Sequence, residues 1–230
     1  MQKVKKRIMK KNKTYALLPL KKNSERVKNK NFKDLKGKPL FMWILEKILD
    51  VDEIDKVVIN TDARELLEEH KLVHDPKVII RDRDQRICGD FVSMNKILKD
   101  DIENTDANTY IMTHTTNPLI STETLRLALK KFFESNDNDS LFSVNRFQTR
   151  FYDASANPIN HDPNNLIRTQ DLDVWYEENS CIYVFSKESF LKNNNRIGEK
   201  PYMYCTPLNE SFEIDTLDDW NLIETIISHE

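Results

Sequence analysis

The sequence predicts an α/β domain in three layers, in which helices cover both faces of a mostly parallel β-sheet. Short apolar runs with strand character alternate with helical patterns along the chain, and this alternation is typical of parallel strands joined by helical crossovers. The 230 residues suffice for one such domain with a subordinate arm. No internal repeat interrupts the pattern.

Six runs have the apolar character of buried strands. They span residues 14–20, 56–61, 77–81, 109–113, 140–144 and 181–185. A strand that is covered on both faces reads as a continuous apolar run rather than as an alternating one. Ligands in such folds bind beyond the carboxyl ends of the strands, so we expect a functional site in the loops that follow these runs.

Two helices are predicted with defined starts. Residues 121–135 repeat apolar side chains at helical spacing behind a Ser-Thr start, at Leu125, Ala128, Leu129, Phe132 and Phe133. The last helix begins at Thr216, which is a good N-cap residue, and two aspartates occupy its first turn.

The loop after the first predicted strand is the most informative segment. It carries three Asn and several cations, namely Lys21, Lys22, Arg26, Lys28 and Lys30, before a turn ending at Pro39 opens a helix. Lysine and arginine side chains, together with unpaired amides at a turn, bind several phosphate oxygens at once. The loop therefore predicts a polyphosphate site, and an exposed basic turn is the alternative.

An acidic pair, Glu213 and Asp215, precedes the last helix. In an extended segment, residues two apart point to the same face, so both carboxylates can reach one hard cation such as Mg²⁺. The alternative is that the pair only stabilises the positive N-terminal end of the helix.

Two segments depart from the alternation. Residues 146–179 are rich in Asn, Asp, Pro and aromatic residues without periodicity, and this length predicts an arm, a lid or an oligomer contact. Residues 1–13 hold seven Lys or Arg, which predicts a basic flexible tail rather than a nucleic-acid-binding one.

The composition excludes several classes of partner. Lys and Arg total 35 against 38 Asp and Glu, and the net charge of -3 gives no reason to expect nucleic acid or an anionic membrane. The three cysteines fit neither a zinc site nor a disulfide framework, which favours a reducing cytoplasm. No apolar run approaches the length of a membrane span or of a signal peptide core.

Seven collinear blocks resemble one family. They are the cationic loop, Val58–Asp62, Gly89–Asp90, Thr113–Leu119, Asp139–Val144, Glu177–Tyr183 and Phe212–Thr216. In this order they are similar to the acylneuraminate cytidylyltransferases, which make CMP-activated sugar acids. The resemblance implies a Rossmann-like nucleotidyltransferase fold in a single domain over residues 14–230, with CTP and Mg²⁺ as ligands. It also implies that residues 146–179 form a protruding arm in a homodimer.

The resemblance assigns residues to the nucleotide side of the site. It implies that Lys21 and Lys30 are the catalytic cations on the triphosphate. The other implied nucleotide-binding residues are the backbone of Leu18 and Leu20, the loop residues Asn23, Ser24, Arg26 and Asn31, and, beyond the third strand, Arg83 and Asp90. A plain cap of the following helix is the alternative role for Asp90.

The acceptor side differs from the family pattern. Where the family carries Gln-Pro-Thr-Ser-Pro-Leu-Arg, this chain has His114 and Ile120 in place of the Gln and the final Arg. His114 is predicted to hydrogen-bond the acceptor or to act as a base. The other acceptor residues implied by the resemblance are Thr116, Asn117, Arg168, Gln170 and Asn179, with Arg168 apt for a carboxylate.

The predicted activity follows from these assignments. The chain is expected to transfer CMP from CTP to the hydroxyl of an acidic sugar, a nonulosonic or related 2-keto-3-deoxy acid, with release of pyrophosphate. One departure leaves alternatives open, because Glu25 places a carboxylate where the family has a lysine in the phosphate loop. The alternatives are another anionic acceptor, such as a phosphate or phosphonate compound, and a catalytically silent nucleotide-binding homologue.

Overall fold

The computed structural model describes residues 12–135 and 137–229. Its strands are β1 (Thr14–Leu17), β2 (Asp34–Leu35), β3 (Lys38–Pro39), β4 (Lys56–Thr61), β5 (Val78–Asp82), β6 (Thr109–Met112), β7 (Ser140–Phe147), β8 (Trp175–Ser186) and β9 (Pro201–Cys205). Its helices are α1 (Leu40–Leu49), α2 (Arg64–Glu68), α3 (Met94–Glu103), α4 (Thr122–Glu134), α5 (Lys187–Asn193) and α6 (Leu217–Ile227). The predicted basic tail falls outside the described residues except for Asn12 and Lys13.

Seven strands form one mixed sheet in the order β5-β4-β1-β6-β8-β7-β9. Strands β5, β4, β1 and β6 run parallel to their neighbours, and β8 lies antiparallel between β6 and β7. Strand β9 pairs with β7 in parallel. Strands β2 and β3 form a separate small hairpin, in which Lys36 and Gly37 have positive φ. The carboxyl ends of β5, β4, β1 and β6 therefore meet at one edge of the sheet.

Helices cover both faces of the sheet, so the predicted three-layer α/β fold is confirmed. One buried cluster packs α1 and α4 against one face, through residues such as Phe41, Ile44 and Leu125. A second packs α3 and α5 against the other face, through Leu98, Tyr183 and Phe190. Within the described residues, no helix has both the length and the apolar character that a membrane crossing requires.

The first strand is shorter than the prediction of residues 14–20. Strand β1 ends at Leu17, and Leu20 rejoins the sheet through an isolated bridge to Thr61. Pro19 lies between them and has no N–H for the ladder, which accounts for the interruption. The amides of Leu18 and Leu20 still donate to the carbonyls of Val58 and Asn60, at 2.9 and 3.0 Å. The chain thus leaves the sheet at the point where the cationic loop begins.

The predicted arm is partly regular. Strand β7 continues to Phe147 and β8 starts at Trp175, and these ends pair as an antiparallel ribbon. Both ends of the aperiodic segment therefore belong to strands, residues 146–147 to β7 and residues 175–179 to β8. The irregular part is residues 148–174. Its role as a lid or dimer contact stays a prediction.

Candidate functional site

A cavity of about 230 Å³ lies beyond the carboxyl ends of β1 and β6, between the cationic loop and the segment before α6. Many of the predicted site residues line it: Lys21, Ser24, Lys30, Asn31, Arg83, Asp90, His114, Thr116, Glu213 and Asp215. A larger cavity of about 520 Å³ adjoins it at Arg83, but Arg83 is the only predicted site residue in that lining. The smaller cavity is therefore the candidate site.

Lys30 is the most enclosed cation of the loop. It begins a short 3-10 turn after Asn29, which takes a left-handed conformation with φ of 53°. Its side chain is 11% exposed, and Nζ donates to the Ile214 carbonyl at 2.7 Å and to Asp215 Oδ1 at 3.3 Å. Burial lowers the pKa of Lys30, and the Asp215 charge opposes this shift. The ammonium group is thus fixed at the cavity wall.

Asn31 holds the loop in place. Its side chain is buried, Nδ2 donates to the Lys21 carbonyl at 2.7 Å, and Oδ1 accepts from the Thr115 hydroxyl at 2.6 Å. Both ends of the amide are therefore engaged within the protein. Asn31 positions the cationic loop over the end of β6.

Ser24 presents an unpaired hydroxyl. Its Oγ is buried, has no hydrogen-bond partner among the described residues, and belongs to a residue that lines the cavity. A buried hydroxyl without a partner is costly, at about 1–3 kcal/mol. A phosphate oxygen in the cavity is an acceptor that would remove this cost.

Lys21 and Asp90 face each other across the cavity mouth, with Nζ 2.5 Å from Oδ1. The hydrogen bond from Lys21 lowers the pKa of Asp90. Both side chains are about two-fifths exposed, so the pair contributes little stability and Lys21 can exchange Asp90 for another anion. Glu25 is exposed and lies outside the main cavity, in a second cavity whose lining includes Lys21, Ser24, Arg26, Lys30 and Asp90.

Glu213 and Asp215 line the same cavity, as the sequence predicts. Glu213 Oε1 accepts from the Thr116 hydroxyl at 2.8 Å, and Asp215 faces Lys30 and, at 3.0 Å, Arg26 Nη1. Burial raises the pKa of Glu213, and the Asp215 charge adds to the shift. A pair of carboxylates in one cavity, of which Glu213 is destabilised in its charged form by burial and by its neighbour, is a suitable oxygen donor set for a divalent cation.

The protein supplies only part of a metal coordination shell. No group of three or more His, Cys, Asp or Glu side chains that could hold a metal occurs in residues 12–135 or 137–229. Mg²⁺ keeps several waters and is commonly held by one or two carboxylates plus substrate phosphates. The pair Glu213 and Asp215 fits this pattern of coordination.

Arg83 joins the cavity to a buried polar network. Its Nε donates to Asn60 Oδ1 at 2.8 Å, and Nη2 donates to the Asn60 and Leu20 carbonyls at 2.7 and 3.3 Å. Asn60 in turn donates to Asp101 Oδ1 at 2.8 Å, and Arg81 Nε donates to the same oxygen at 2.9 Å. Asp101 is fully buried, and burial raises its pKa to about 6. The network fixes the direction of the Arg83 guanidinium.

His114 lines the cavity as a neutral ring. Burial, followed by the charges of Arg196 and Lys30, lowers the pKa of His114 to about 3. A base with this pKa is almost entirely unprotonated at neutral pH but accepts protons weakly. Hydrogen bonding is the role that a neutral ring of this pKa can serve, and both predicted roles stay predictions.

Several predicted residues lie outside the cavity lining. The amides of Leu18 and Leu20 are taken up by β4, and Asn23 is exposed at the loop surface. Arg26 is outside this lining, forms an ion pair with Asp215, and lines the second cavity together with Lys21 and Lys30. Asn117 and Asn179 are buried and hydrogen-bonded to their surroundings, through Cys181 and through Ser143 and Thr206 respectively.

The predicted carboxylate-binding residue is also displaced. Arg168 is 71% exposed and donates twice to Asp171, at 2.6 and 3.0 Å. Gln170 is exposed, and its carbonyl accepts from Gln148. Within this chain these arm residues are not brought to the cavity.

Sequence reasoning missed Asn60, Asp101 and Arg196. Asn60 lies in a predicted strand, but its partner Asp101 comes forty-one residues later on a helix, and no spacing rule connects them. Arg196 follows α5 in a short loop without any recognisable motif. The three residues share a polar side chain that is buried or nearly buried, and this property becomes visible only in the structure.

Comparison with known proteins assigns this arrangement to a family. A family model described as cytidylyltransferase matches residues 15–226. Pseudaminic acid cytidylyltransferase of Campylobacter jejuni is 25% identical over 231 residues, which cover 95% of this chain and 98% of that protein. N-acylneuraminate cytidylyltransferase of Streptococcus agalactiae is 24% identical over 217 residues, which cover 90% of this chain and 52% of that protein.

A solved structure shares the fold. It is a CMP:2-keto-3-deoxy-manno-octonic acid synthetase in complex with CTP, which superposes with a TM-score of 0.67 and 14% sequence identity. The match covers 95% of this chain and 99% of that one. The resemblance stated from the seven sequence blocks is confirmed.

Proposed function

Because this chain belongs to the cytidylyltransferase family, we propose that it transfers CMP from CTP to the hydroxyl group of an acidic sugar. The acceptor oxygen attacks the α-phosphorus and forms a new O–P bond, while the bond from the α-phosphorus to the bridging oxygen breaks and its electron pair leaves with pyrophosphate. The proton of the acceptor hydroxyl passes to solvent water. One observation carries the proposal. The cationic loop and the carboxylate pair, which lie about 190 residues apart in sequence, face the same cavity in a chain that matches the family over residues 15–226.

The loop residues bind the triphosphate in this proposal. Lys21 and Lys30 donate to phosphate oxygens, and the unpaired Ser24 hydroxyl adds a third donor. Lys21 leaves Asp90, and Lys30 moves its weaker contact from Asp215 to phosphate while it keeps the Ile214 carbonyl. Donors that are already in place stabilise charge at the transition state with little reorganisation.

Glu213 and Asp215 hold a divalent cation, which we propose to be Mg²⁺. When bound there, the cation neutralises phosphate charge and assists pyrophosphate as a leaving group. Arg26 and Lys30 hold the Asp215 side chain in place through ion pairs before the nucleotide arrives. Thr116 orients Glu213 through its hydroxyl.

Arg83 and the chain ends around it form the nucleobase side of the cavity. The buried network through Asn60 holds the guanidinium against the Leu20 carbonyl, at the end of the first parallel strand. In this proposal Arg83 donates to an acceptor on the base edge, and its fixed guanidinium supports that role. We propose that the irregular part of the arm, residues 148–174, contacts a second copy of the chain in a homodimer.

The acceptor is an acidic sugar of the nonulosonic or 2-keto-3-deoxy class. Three relatives with these names support the class: the pseudaminic and N-acylneuraminate enzymes and the octonic acid synthetase. The silent-homologue alternative rested on Glu25, which is exposed and outside the lining of the main cavity. Its carboxylate shares a neighbouring cavity with Lys21, Ser24 and Lys30, so the substrate panel decides between turnover and the silent homologue.

The test is a substrate panel. The protein is incubated with each of the four common nucleoside triphosphates, Mg²⁺, and either acidic sugars or phosphate and phosphonate compounds, while pyrophosphate is followed. Selective release with CTP and an acidic sugar supports the proposal. Turnover with phosphate or phosphonate compounds alone would show that the acceptor is a compound of that class and not an acidic sugar. Tight CTP binding without pyrophosphate release across the whole panel would establish the silent homologue.

A further inference from the structure

Arg196 is a cation on the acceptor side that none of the proposed steps uses. Its guanidinium carbon lies 3.8 Å from the centre of the Tyr183 ring, and Nη2 donates to the Tyr183 hydroxyl at 3.0 Å. Nη1 is 3.9 Å from the Met112 sulfur, and the ion pair with Glu178 is long, at 3.8 Å. The side chain is only 18% exposed. Stacking and burial therefore hold the guanidinium plane in one orientation.

The contacts of Arg196 place it beside the cavity wall. Met112 ends β6, two residues before His114, which lines the cavity. Met94 also lines the cavity, and it packs in the same apolar cluster as Met112 and Tyr183. The Arg196 charge also contributes to the lowered pKa of His114, after burial. The guanidinium and the imidazole therefore share one side of the site.

Most of the donor capacity of Arg196 is uncommitted. A guanidinium carries five N–H donors, and the oxygen partners of Arg196 in the described part of the chain all contact Nη2. The contact of Nη1 with the Met112 sulfur is weak. A fixed planar fork with free N–H groups is suited to a carboxylate, which it can bind through two parallel hydrogen bonds.

The other candidate cations have partners elsewhere. Lys21 and Lys30 belong to the triphosphate side, where they face Asp90 and Asp215. Arg168, the residue predicted from sequence for this role, is exposed and bound bidentately by Asp171. An acidic acceptor that reaches the α-phosphate brings its carboxylate towards the wall formed by Met94 and His114. Arg196 is not itself in that lining, and it lies behind this wall in contact with Met112.

We propose that Arg196 binds the carboxylate of the acidic acceptor and thereby selects sugar acids over neutral sugars. The assignment deepens the proposed function and rests on it. A purely structural role is the alternative, in which Arg196 only ties Tyr183 and Glu178 to the loop after α5. That role predicts lower stability in a variant, with unchanged discrimination between charged and neutral acceptors.

The test compares an acidic sugar with its primary amide, which has nearly the same shape and no charge. For each protein, kcat/KM is measured for both acceptors at saturating CTP. Wild type prefers the acid, and Arg196→Met loses about 10- to 100-fold of that preference, as expected for a hydrogen-bonded charge. The KM for CTP stays within about threefold, because the triphosphate residues are untouched.

Controls separate the competing explanations. Arg196→Lys keeps the positive charge but lacks the planar guanidinium, so it should retain part of the preference for the acid. If urea titrations show that Arg196→Met does not fold, Arg196→Lys is the decisive variant. Arg126→Met, on the exposed face of α4, controls for loss of a surface guanidinium. Retention of the full preference in Arg196→Met, or its loss in Arg168→Met, would overturn the assignment. Absence of wild-type turnover would instead overturn the proposed function, and the assignment with it.

Discussion

Lys30 offers the most direct perturbation of the phosphate site. Lys30→Met removes the ammonium group and keeps an unbranched apolar stem in a side chain that is 11% exposed. If Lys30 contacts charge that develops at the transition state, loss of this one donor costs about 2.7–4 kcal/mol, or roughly 100- to 1000-fold in kcat. The KM for CTP should rise less, because the other loop donors remain.

The same substitution has a structural cost that must be measured separately. The Ile214 carbonyl loses the donor that lies 2.7 Å away, which lowers the free energy of unfolding by about 1–3 kcal/mol if no water replaces it. Asp215 also loses one of its two cations and keeps Arg26. Urea unfolding of wild type and variant measures this difference in the free energy of unfolding. The kcat values are compared only under conditions in which both proteins are folded.

The matched control is Lys28→Met. Lys28 lies in the same loop, is exposed, and does not line the candidate site. The charge change is identical, so kcat should stay within about twofold, as for surface substitutions in general. The reasoning is refuted if folded Lys30→Met keeps kcat within about tenfold of wild type, or if both variants lose activity equally.

Four further predictions address single residues. Asp215→Asn raises the Mg²⁺ concentration for half-maximal turnover by about tenfold or more in a metal titration, and an unchanged requirement would remove Asp215 from the metal site. His114→Gln keeps kcat within about tenfold, because a neutral hydrogen-bonding group suffices, whereas a loss above about 100-fold would assign proton transfer to His114. Ser24→Ala raises the KM for CTP by about tenfold through loss of one hydrogen bond, and an unchanged KM would exclude the contact. Burial raises the pKa of Asp101 to about 6, against about 3.9 in the unfolded chain. Between these two pH values the native protein binds one more proton than the unfolded chain, so the free energy of unfolding falls by roughly 3 kcal/mol as the pH rises through this range. Urea unfolding of Asp101→Asn should show no such fall, and the same pH dependence in wild type and variant would refute the prediction.

The fold was predictable where local signals were strong. The strand predicted at residues 56–61 is β4 without change, because five consecutive residues are buried and no breaker lies inside it. The predicted N-cap of the last helix is confirmed, since Thr216 and Asp219 form a reciprocal capping box. Strand β9 escaped prediction because it starts at a proline and lies at the sheet edge, where neither face is fully buried.

The site was predictable on the side where short motifs carry the chemistry. The cationic loop and the pair Glu213 and Asp215 were inferred from residue type and spacing, the resemblance singled out Lys30 within the loop, and these residues do face one cavity. The acceptor side depends on tertiary contacts that no spacing encodes. Arg196 acquires its orientation from Tyr183, which lies on another element, so its sequence neighbours gave no signal.

The central claim is that the α-phosphate of CTP moves to a sugar acid. Two parallel reactions with Mg²⁺ and an acidic sugar test it, one with CTP labelled on the α-phosphorus and one with CTP labelled on the γ-phosphorus. The account predicts that the α-label appears in a CMP-sugar product and the γ-label in pyrophosphate, in equal amounts. Transfer of the γ-label to the acceptor, or release of labelled CMP without a sugar conjugate, would contradict it.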